Sequence, residues 1–410
     1  PFLSDLSIVL LSLLFLYKYR YEKIFINNYN YLIFFLIFSF LLIICSLLSE
    51  FILHSLESSL FYFRFIIFAY AMCYFFLKLK TLPNKFFYVL LVTLLFINID
   101  AIYQYFYGFN LLGFENKYPW TPEFGDGEYH RVSGVFRDEL KLGSFISKLL
   151  PIFISLFFFI QKYERINIFI FIAVIVLSTI TILITSERLA LINTIVFILI
   201  SFVLIDINKK YKIMFLLLST ISIISFLYFD KNLNARISTV FDSFNSSEYI
   251  YNNFNDIKDD IPQEISIFTN QHARHYITAL RLFNDNYILG VGPKNFRQLC
   301  DKEPYRLKYS CSTHPHNTYM QLLSETGILG FIFIICLFCY HALILFKIFF
   351  NKYIFNNLNN NSLTCIYILI FINLWPIAPS GSFYNNWNSI MFYIPFGMLL
   401  FYKSYEEYNK

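Results

Sequence analysis

Long apolar runs recur along this 410-residue chain, and they limit what it can fold into more than any other feature. A helix of roughly 17–25 apolar residues crosses a bilayer core of about 30 Å. Lipid offers no partners to bare backbone groups, so such runs must be helices that bond internally. The chain is 57% hydrophobic and only 14% charged, too little charge for the surface of a soluble protein of this length. The sequence therefore predicts an all-α, polytopic membrane protein.

Hydropathy predicts about eleven transmembrane helices in the visible chain. They lie near residues 3–17, 31–48, 59–77, 86–107, 140–160, 166–184, 189–205, 211–229, 327–348, 363–379 and 387–402. Because the chain begins at Pro1 in place of an initiator Met, we expect one more helix upstream and twelve in the full protein.

The long connections divide the chain into three segments. Residues 1–229 hold the first eight visible spans with a loop at 108–138, and residues 230–326 form a large, mainly helical loop. Residues 327–410 hold the last three spans and a tail. The stretch 232–268, rich in Asn, Asp and Ser, is either partly disordered or a lid over an acceptor.

Basic residues predict the orientation of these segments. They occupy every second connection, at Lys18, Arg20, Lys23, Lys78, Lys80, Lys85, Lys162, Arg165, Lys209, Lys210, Lys212, Lys347 and Lys352. The intervening short loops 49–58 and 380–386 contain neither Lys nor Arg. By the positive-inside rule the basic set is cytoplasmic, so both long loops and Pro1 face the outer side.

Two cysteines lie together in the large outer loop, at Cys300 and Cys311. Outside the cytoplasm such a pair can oxidise, which would stabilise the loop by roughly 3 kcal/mol. Two free thiols are the alternative, since spacing alone does not establish disulfide geometry.

Three arginines on the outer side are candidate ligands for an anion. Arg188 lies in a turn of about four residues between two apolar spans, where an unpaired guanidinium is costly. It either reaches up to lipid headgroups or binds an anionic ligand, and the same two interpretations apply to Arg131. Arg274 lies on a helix predicted over about 270–284. Arg64, in the third predicted span, is interpreted as structural, although a place in the site stays open.

A His-Asn pair, His316 and Asn317, precedes a short amphipathic helix predicted over 318–326. Either residue can cap that helix. A helix N-terminus disfavours a protonated imidazole and attracts phosphate, so a neutral His316 could accept a proton there. A purely structural histidine is the alternative. Gly327 and Gly330 predict close packing where the next span begins.

Four ordered motifs resemble the O-antigen ligase family of bacterial envelopes and cover roughly residues 128–330. They are His316-Asn317 followed after nine residues by Gly327-x-x-Gly330, Arg131-Val-Ser-Gly134-Val-Phe136, Thr185-Ser186-Glu187-Arg188, and Leu289-Gly290-Val-Gly292-Pro293. Asp138-Glu139 departs from the Pro-Asn common in the family after the second of these, which leaves the candidate ligands in place.

The resemblance implies an inverting, metal-independent membrane glycosyltransferase in the bacterial inner membrane, with its active site facing the periplasm. Such an enzyme takes a glycan from undecaprenyl diphosphate and passes it to lipid A core. Related enzymes pass it to a growing glycan, as polysaccharide polymerases, or to a protein, as O-oligosaccharyltransferases. On this interpretation His316 is the catalytic base, and Arg131, Arg188, Arg274 and Asn317 bind the substrate.

Other classes fit the sequence less well. His272, His275, His314 and His316 could be imagined as a zinc site, but the spacing lacks supporting carboxylates or thiols, so neither metal nor cofactor is predicted. No nucleic-acid module is present, and the expected partners are the glycan donor, its acceptor and membrane lipids.

A lipid-linked glycan flippase would need charges within several spans, whereas here polar residues cluster on one side. Nothing in the sequence indicates an oligomeric state.

Overall fold

The computed structural model describes residues 2–21, 29–115, 131–161, 168–206, 220, 270–350 and 358–408. Within these ranges the chain is helical and has no β-strand, which confirms the predicted fold class. The helices are α1 Phe2–Tyr21, α2 Tyr29–Leu47, α3 Ile52–Ser59, α4 Arg64–Lys78, α5 Leu82–Tyr107, α6 Leu142–Ile160, α7 Ile168–Ile184, α8 Arg188–Leu204, α9 Asn270–Asp285, α10 Phe296–Leu299, α11 Thr318–Phe350, α12 Leu358–Asn373 and α13 Asn386–Tyr408. The predicted span at 211–229, apart from residue 220, and the stretch 232–268 lie outside the described residues.

Five helical segments are long and apolar enough to cross a membrane: Tyr29–Leu47, Ile52–Lys78, Leu82–Tyr107, Leu142–Ile160 and Thr318–Phe350. Shorter apolar helices cover Ile168–Ile184, Arg188–Leu204 and Asn361–Asn373. The protein is therefore a multi-pass membrane protein. The total of eleven spans and their orientation stay predictions.

One helix was not expected from hydropathy. Helix α3 occupies most of the stretch 49–58 that the sequence predicted as a loop. Its serines bond to α2, since Ser55 Oγ donates to Ser46 Oγ at 2.8 Å and the Ser46 and Ser59 hydroxyls lie 2.6 Å apart. Averaged hydropathy misses this helix because it is short and carries polar side chains on its buried face.

The chain folds into two compact units, each assembled from separate stretches of sequence. The first comprises Pro1–Lys78, Val240–Ala342 and Asn373–Lys410. Aromatic rings fill its core: the Phe38 and Phe333 rings stack with centroids 3.8 Å apart. Phe38 lies in α2 and Phe333 in α11, so this stack holds the two helices together.

The second unit comprises Leu79–Thr239 and Leu343–Ile372. Helices α5, α6, α7 and α8 pack together in it. The Phe157 and Phe171 rings stack at 3.6 Å between α6 and α7, and the amide of Asn98 donates to Ser178 Oγ at 2.9 Å. The hydroxyls of Thr179, Thr181 and Thr194 each donate to a backbone carbonyl of their own helix, which satisfies these donors in an apolar setting.

Candidate functional site

Asn317 caps the N-terminus of α11 and settles which residue of the His-Asn pair does so. Its Oδ1 accepts hydrogen bonds from the backbone N–H of Tyr319 at 2.8 Å and of Met320 at 3.0 Å. These two donors would otherwise have no partner in the first helical turn. The N-cap predicted at His316 or Asn317 is therefore Asn317.

The other side of the same amide ties down a neighbouring loop. Asn317 Nδ2 donates to the carbonyls of Pro376 at 2.8 Å and Ala378 at 3.2 Å. An amide offers two donors and two acceptor positions, and all four are used within the protein. Asn317 is only 3% exposed. The structure thus gives Asn317 a positioning role, and the substrate contact that the sequence predicted stays a prediction.

His316 adopts a left-handed backbone conformation immediately before this cap, with φ 58°. Non-glycine residues rarely take it, and they do so where surrounding bonds hold them. Here the backbone N–H of Ser380 donates to the His316 carbonyl at 2.8 Å, and His316 Nε2 lies 3.0 Å from Ser312 Oγ. These bonds hold the His316 backbone in its uncommon conformation.

Four imidazoles gather around this position and form the histidine cluster: His272, His275, His314 and His316. The ring centroid of His316 lies 4.2 Å from that of His314, 5.2 Å from His275 and 5.6 Å from His272. His272 and His275 are three residues apart on α9 and so share one face of it. His275 Nδ1 lies 2.6 Å from the Ser310 carbonyl, while its Nε2 is buried and has no hydrogen-bond partner.

Burial and mutual repulsion keep the histidine cluster neutral. Burial lowers the pKa of His316 to about 3, and the neighbouring His314, His275 and His272 lower it further in the same direction. Burial likewise lowers the pKa of His314 to about 4. The pKa values of His272 and His275 are lowered by burial as well. At neutral pH these rings carry lone pairs rather than charge.

Arg274 lies on α9 between two members of the histidine cluster in sequence. Its side chain is half-buried, and Nη1 donates to the Lys308 carbonyl. A guanidinium has five N–H donors, so this single bond orients the group without exhausting it. Arg274, His316 and Asn317 all lie in the first unit. Their joint role at one site stays a prediction.

The glycine motifs explain how the loop 286–292 and α11 fit together. Helix α11 is broken at Gly327, whose φ of 64° and ψ of −160° are not helical. The carbonyls of Ser324 and Glu325 consequently accept bonds from Val291 and Gly292 N–H, both at 2.9 Å. A Cβ on Gly327 would lie 2.2 Å from the Ile288 oxygen. Gly327 is therefore closely packed, as predicted, and the neighbour that packs against it is the loop 286–292.

Cys300 and Cys311 are joined by a disulfide, with Cα atoms 5.0 Å apart. Ser310, which bonds to His275, directly precedes Cys311. The link therefore ties the short helix α10 to the segment that leads into His314 and His316.

Arg131 and Arg188 lie in the second unit, on either side of one turn. Arg131 is half-buried, and its Nε lies 3.5 Å from the Thr185 carbonyl. Arg188, three residues after Thr185, begins α8. Glu187 between them accepts bonds from Gly143 N–H at 2.8 Å and from Ser144 N–H at 3.0 Å. The carboxylate thus caps α6 and fixes the turn that carries Arg188. Burial raises the pKa of Glu187, and these bonds and Arg131 oppose that shift.

A buried amide holds the Arg131 loop in place, and sequence reasoning missed it. Gln104 Oε1, in α5, accepts bonds from the backbone N–H of Ser133 at 3.1 Å and Gly134 at 2.7 Å. Asp100, one turn earlier, accepts from Leu111 N–H at 2.9 Å. Two polar residues four apart in an apolar span were the available signal.

Sequence reasoning also undervalued His275 and His314, which entered it only as imagined zinc ligands. The spacing of His272 and His275 on one helix face was the signal for their joint placement. In the described part of the chain, no group of three or more His, Cys, Asp or Glu side chains is arranged to hold a metal ion. Arg64 has a structural setting: Nε bonds to Asp5 at 3.1 Å and Nη2 to Asn386 at 2.8 Å.

The model of the O-antigen ligase family matches residues 172–335. This range includes Arg188, Arg274 and the histidine cluster, and it confirms the family that the motifs resembled. The match supports a membrane glycosyltransferase of the O-antigen ligase or polymerase kind. No curated protein matches the sequence significantly.

Proposed function

We propose that this member of the O-antigen ligase family transfers a glycan from undecaprenyl diphosphate to lipid A core at the periplasmic face of the inner membrane, with His316 as the general base. One observation carries the proposal: a neutral imidazole is held, in a constrained backbone conformation, beside three other imidazoles and one residue before a capped helix. Holding a neutral base in a fixed position is what proton acceptance from an acceptor hydroxyl requires.

The low pKa of His316 fits this role once the donor's charge is included. A base with a pKa of about 3 takes up a proton poorly in the free protein. A diphosphate bound nearby would favour the imidazolium and raise that pKa. The base would then become effective only when donor is bound.

Arginine side chains are suited to binding the diphosphate leaving group. Diphosphate departs with negative charge, and planar guanidinium groups bind phosphate through paired hydrogen bonds. Arg274, which lies between His272 and His275 in the sequence, is one proposed phosphate ligand. Arg131 and Arg188 are proposed as phosphate ligands on the strength of their own half-buried settings in the second unit. Attack opposite the leaving diphosphate would invert the anomeric centre, and no metal is required.

The test uses purified protein, a synthetic undecaprenyl-diphosphate glycan, and two acceptors supplied separately: lipid A core, and more of the same lipid-linked glycan. Asn tolerates the left-handed conformation but is not a base, so His316→Asn keeps the local fold while removing the proton acceptor. We expect product on lipid A core, reduced by roughly 10²- to 10⁴-fold in His316→Asn.

His54→Asn is the matched control, because His54 lies on α3 outside the histidine cluster. A ladder of lengthened glycan would identify a polymerase acting with the same base. Wild-type rates in His316→Asn would remove His316 from the mechanism. Absence of product with either acceptor would turn the search to protein acceptors, and then to transport.

A further inference from the structure

Arg297 is a half-buried cation that the proposed mechanism does not use. It lies on α10, is half-buried, and its Nε is buried without a hydrogen-bond partner. Across the described ranges Arg297 forms no ion pair. A buried guanidinium nitrogen without an acceptor is costly, and such atoms in native proteins call for a specific explanation.

The carboxylate of Glu325 interacts electrostatically with Arg297, but its oxygens already accept hydrogen bonds from other groups. Glu325 is fully buried, and it accepts bonds from Phe296 N–H at 3.1 Å and from the Gln321 amide at 3.0 Å. These bonds fix α10 to the end of the first part of α11. Glu325 therefore positions the backbone beneath Arg297, and the guanidinium stays without an ion-pair partner.

A second cation lies on the same loop. Lys294 is half-buried and has a left-handed backbone with φ 62°. Burial lowers its pKa, the charge of Arg297 lowers it further, and Glu57 and Glu325 oppose the shift. Arg297 also lowers the pKa of His314, so its charge reaches the histidine cluster. Two cations that repel each other on one loop would be stabilised together by an anion.

The loop that carries both cations is rigid. Gly290 and Gly292 both have positive φ, and a Cβ on Gly290 would lie 2.4 Å from the Glu325 backbone carbon. Asn295 Nδ2 donates to the Val291 carbonyl at 2.9 Å. The family's Gly-x-Gly step thus presses residues 290–297 against α11, the helix that begins beside His316. Cations on so fixed a backbone are pre-organised for a ligand.

We propose that Arg297, assisted by Lys294, binds a phosphate group of the glycolipid substrates beside the histidine cluster. The substrate identity rests on the proposed function, whereas the anion site itself does not. The phosphate could belong to the diphosphate of the donor or to a phosphorylated sugar of the acceptor. Arg297 would supply paired hydrogen bonds through its fork, and Lys294 a further positive charge.

The first arm of the test measures binding alone. Wild-type protein, Arg297→Gln and Arg306→Gln are reconstituted in phosphatidylcholine nanodiscs and titrated with inorganic pyrophosphate by calorimetry. Arg306 is the matched control, because it is an exposed arginine paired with Asp301 at 3.3 Å. We expect Arg297→Gln to weaken binding by roughly 10- to 100-fold, as for a lost charge-assisted hydrogen bond, with Arg306→Gln unchanged.

The second arm identifies the source of the phosphate. A raised KM for donor in Arg297→Gln would assign the site to the donor diphosphate. A raised KM only for a phosphorylated acceptor, with the dephosphorylated acceptor unaffected, would assign it to the acceptor. If transfer fails altogether while pyrophosphate binding still depends on Arg297, the proposed function is wrong and the anion site stands.

Equal pyrophosphate affinity in wild type and Arg297→Gln, or no binding by wild type, would overturn the proposal. If Arg297→Gln does not fold, Arg297→Lys carries the same comparison, because it keeps the charge and the aliphatic stem and loses only the fork. Binding by Arg297→Lys that equals wild type would also overturn it.

Discussion

Replacing Gly327 with Ala should destabilise the protein strongly, and a matched glycine can show why. The φ of 64° and ψ of −160° at Gly327 lie in a region open essentially to glycine, which costs other residues about 1–3 kcal/mol. The added Cβ would also lie 2.2 Å from the Ile288 oxygen, a backbone atom. Overpacking of this kind costs about 1–3 kcal/mol more. We therefore expect a total of about 2–6 kcal/mol.

Gly108→Ala is the control. Gly108 also has a positive φ, 79°, but a Cβ there would meet nothing within 4 Å. Only the conformational cost of about 1–2 kcal/mol applies to it. The difference between the two variants thus isolates the contact between the loop 286–292 and the break in α11.

Thermal unfolding in detergent, followed with a thiol-reactive dye, suits this comparison. Cys336 and Cys339 are free and exposed, so they are blocked with an alkylating reagent beforehand. Cys45, Cys73 and Cys365 are free and buried, so they react only as the protein opens. We expect the unfolding midpoint of Gly327→Ala to fall well below that of Gly108→Ala. Equal midpoints for the two variants would refute the close contact at Gly327.

Three further outcomes follow from the site. Asn317→Ala should be less stable than Asn317→Ser by about 1 kcal/mol, because serine keeps a cap oxygen; a raised donor KM in both without lost stability would instead indicate a substrate contact. The folded-state pKa of His316, about 3, lies below the unfolded value, so His316 contributes stability above about pH 6.5 that is lost as pH falls towards 3. Unfolding midpoints from pH 7 to 4 should therefore decline less steeply in His316→Asn, and parallel curves would count against the assignment. Arg188→Lys should lower transfer, because lysine keeps the charge and loses the paired hydrogen bonds; unchanged kcat/KM would argue against phosphate binding there.

Hydropathy, helix-capping chemistry and motif order were sufficient for the coarse description of this protein. Apolar runs long enough to cross lipid leave helices as the one solution, so the all-α class and most helix positions could be predicted locally. The His-Asn pair indicated a helix start because the capping bonds of Asn317 reach only two and three residues ahead. The family resemblance likewise depends on motif order along the chain.

Contacts between distant parts of the chain were decided only by the tertiary structure. The histidine cluster joins α9 to residues some forty positions later, and the low pKa of His316 arises from that burial rather than from the helix end. The bonds of Asn317 to the loop near Pro376, of Gln104 to the Arg131 loop, and of Glu187 to the start of α6 are equally non-local. Neither hydropathy nor a spacing rule encodes which carbonyl a buried amide will meet. Packing selects those partners, because a polar group buried without one is costly.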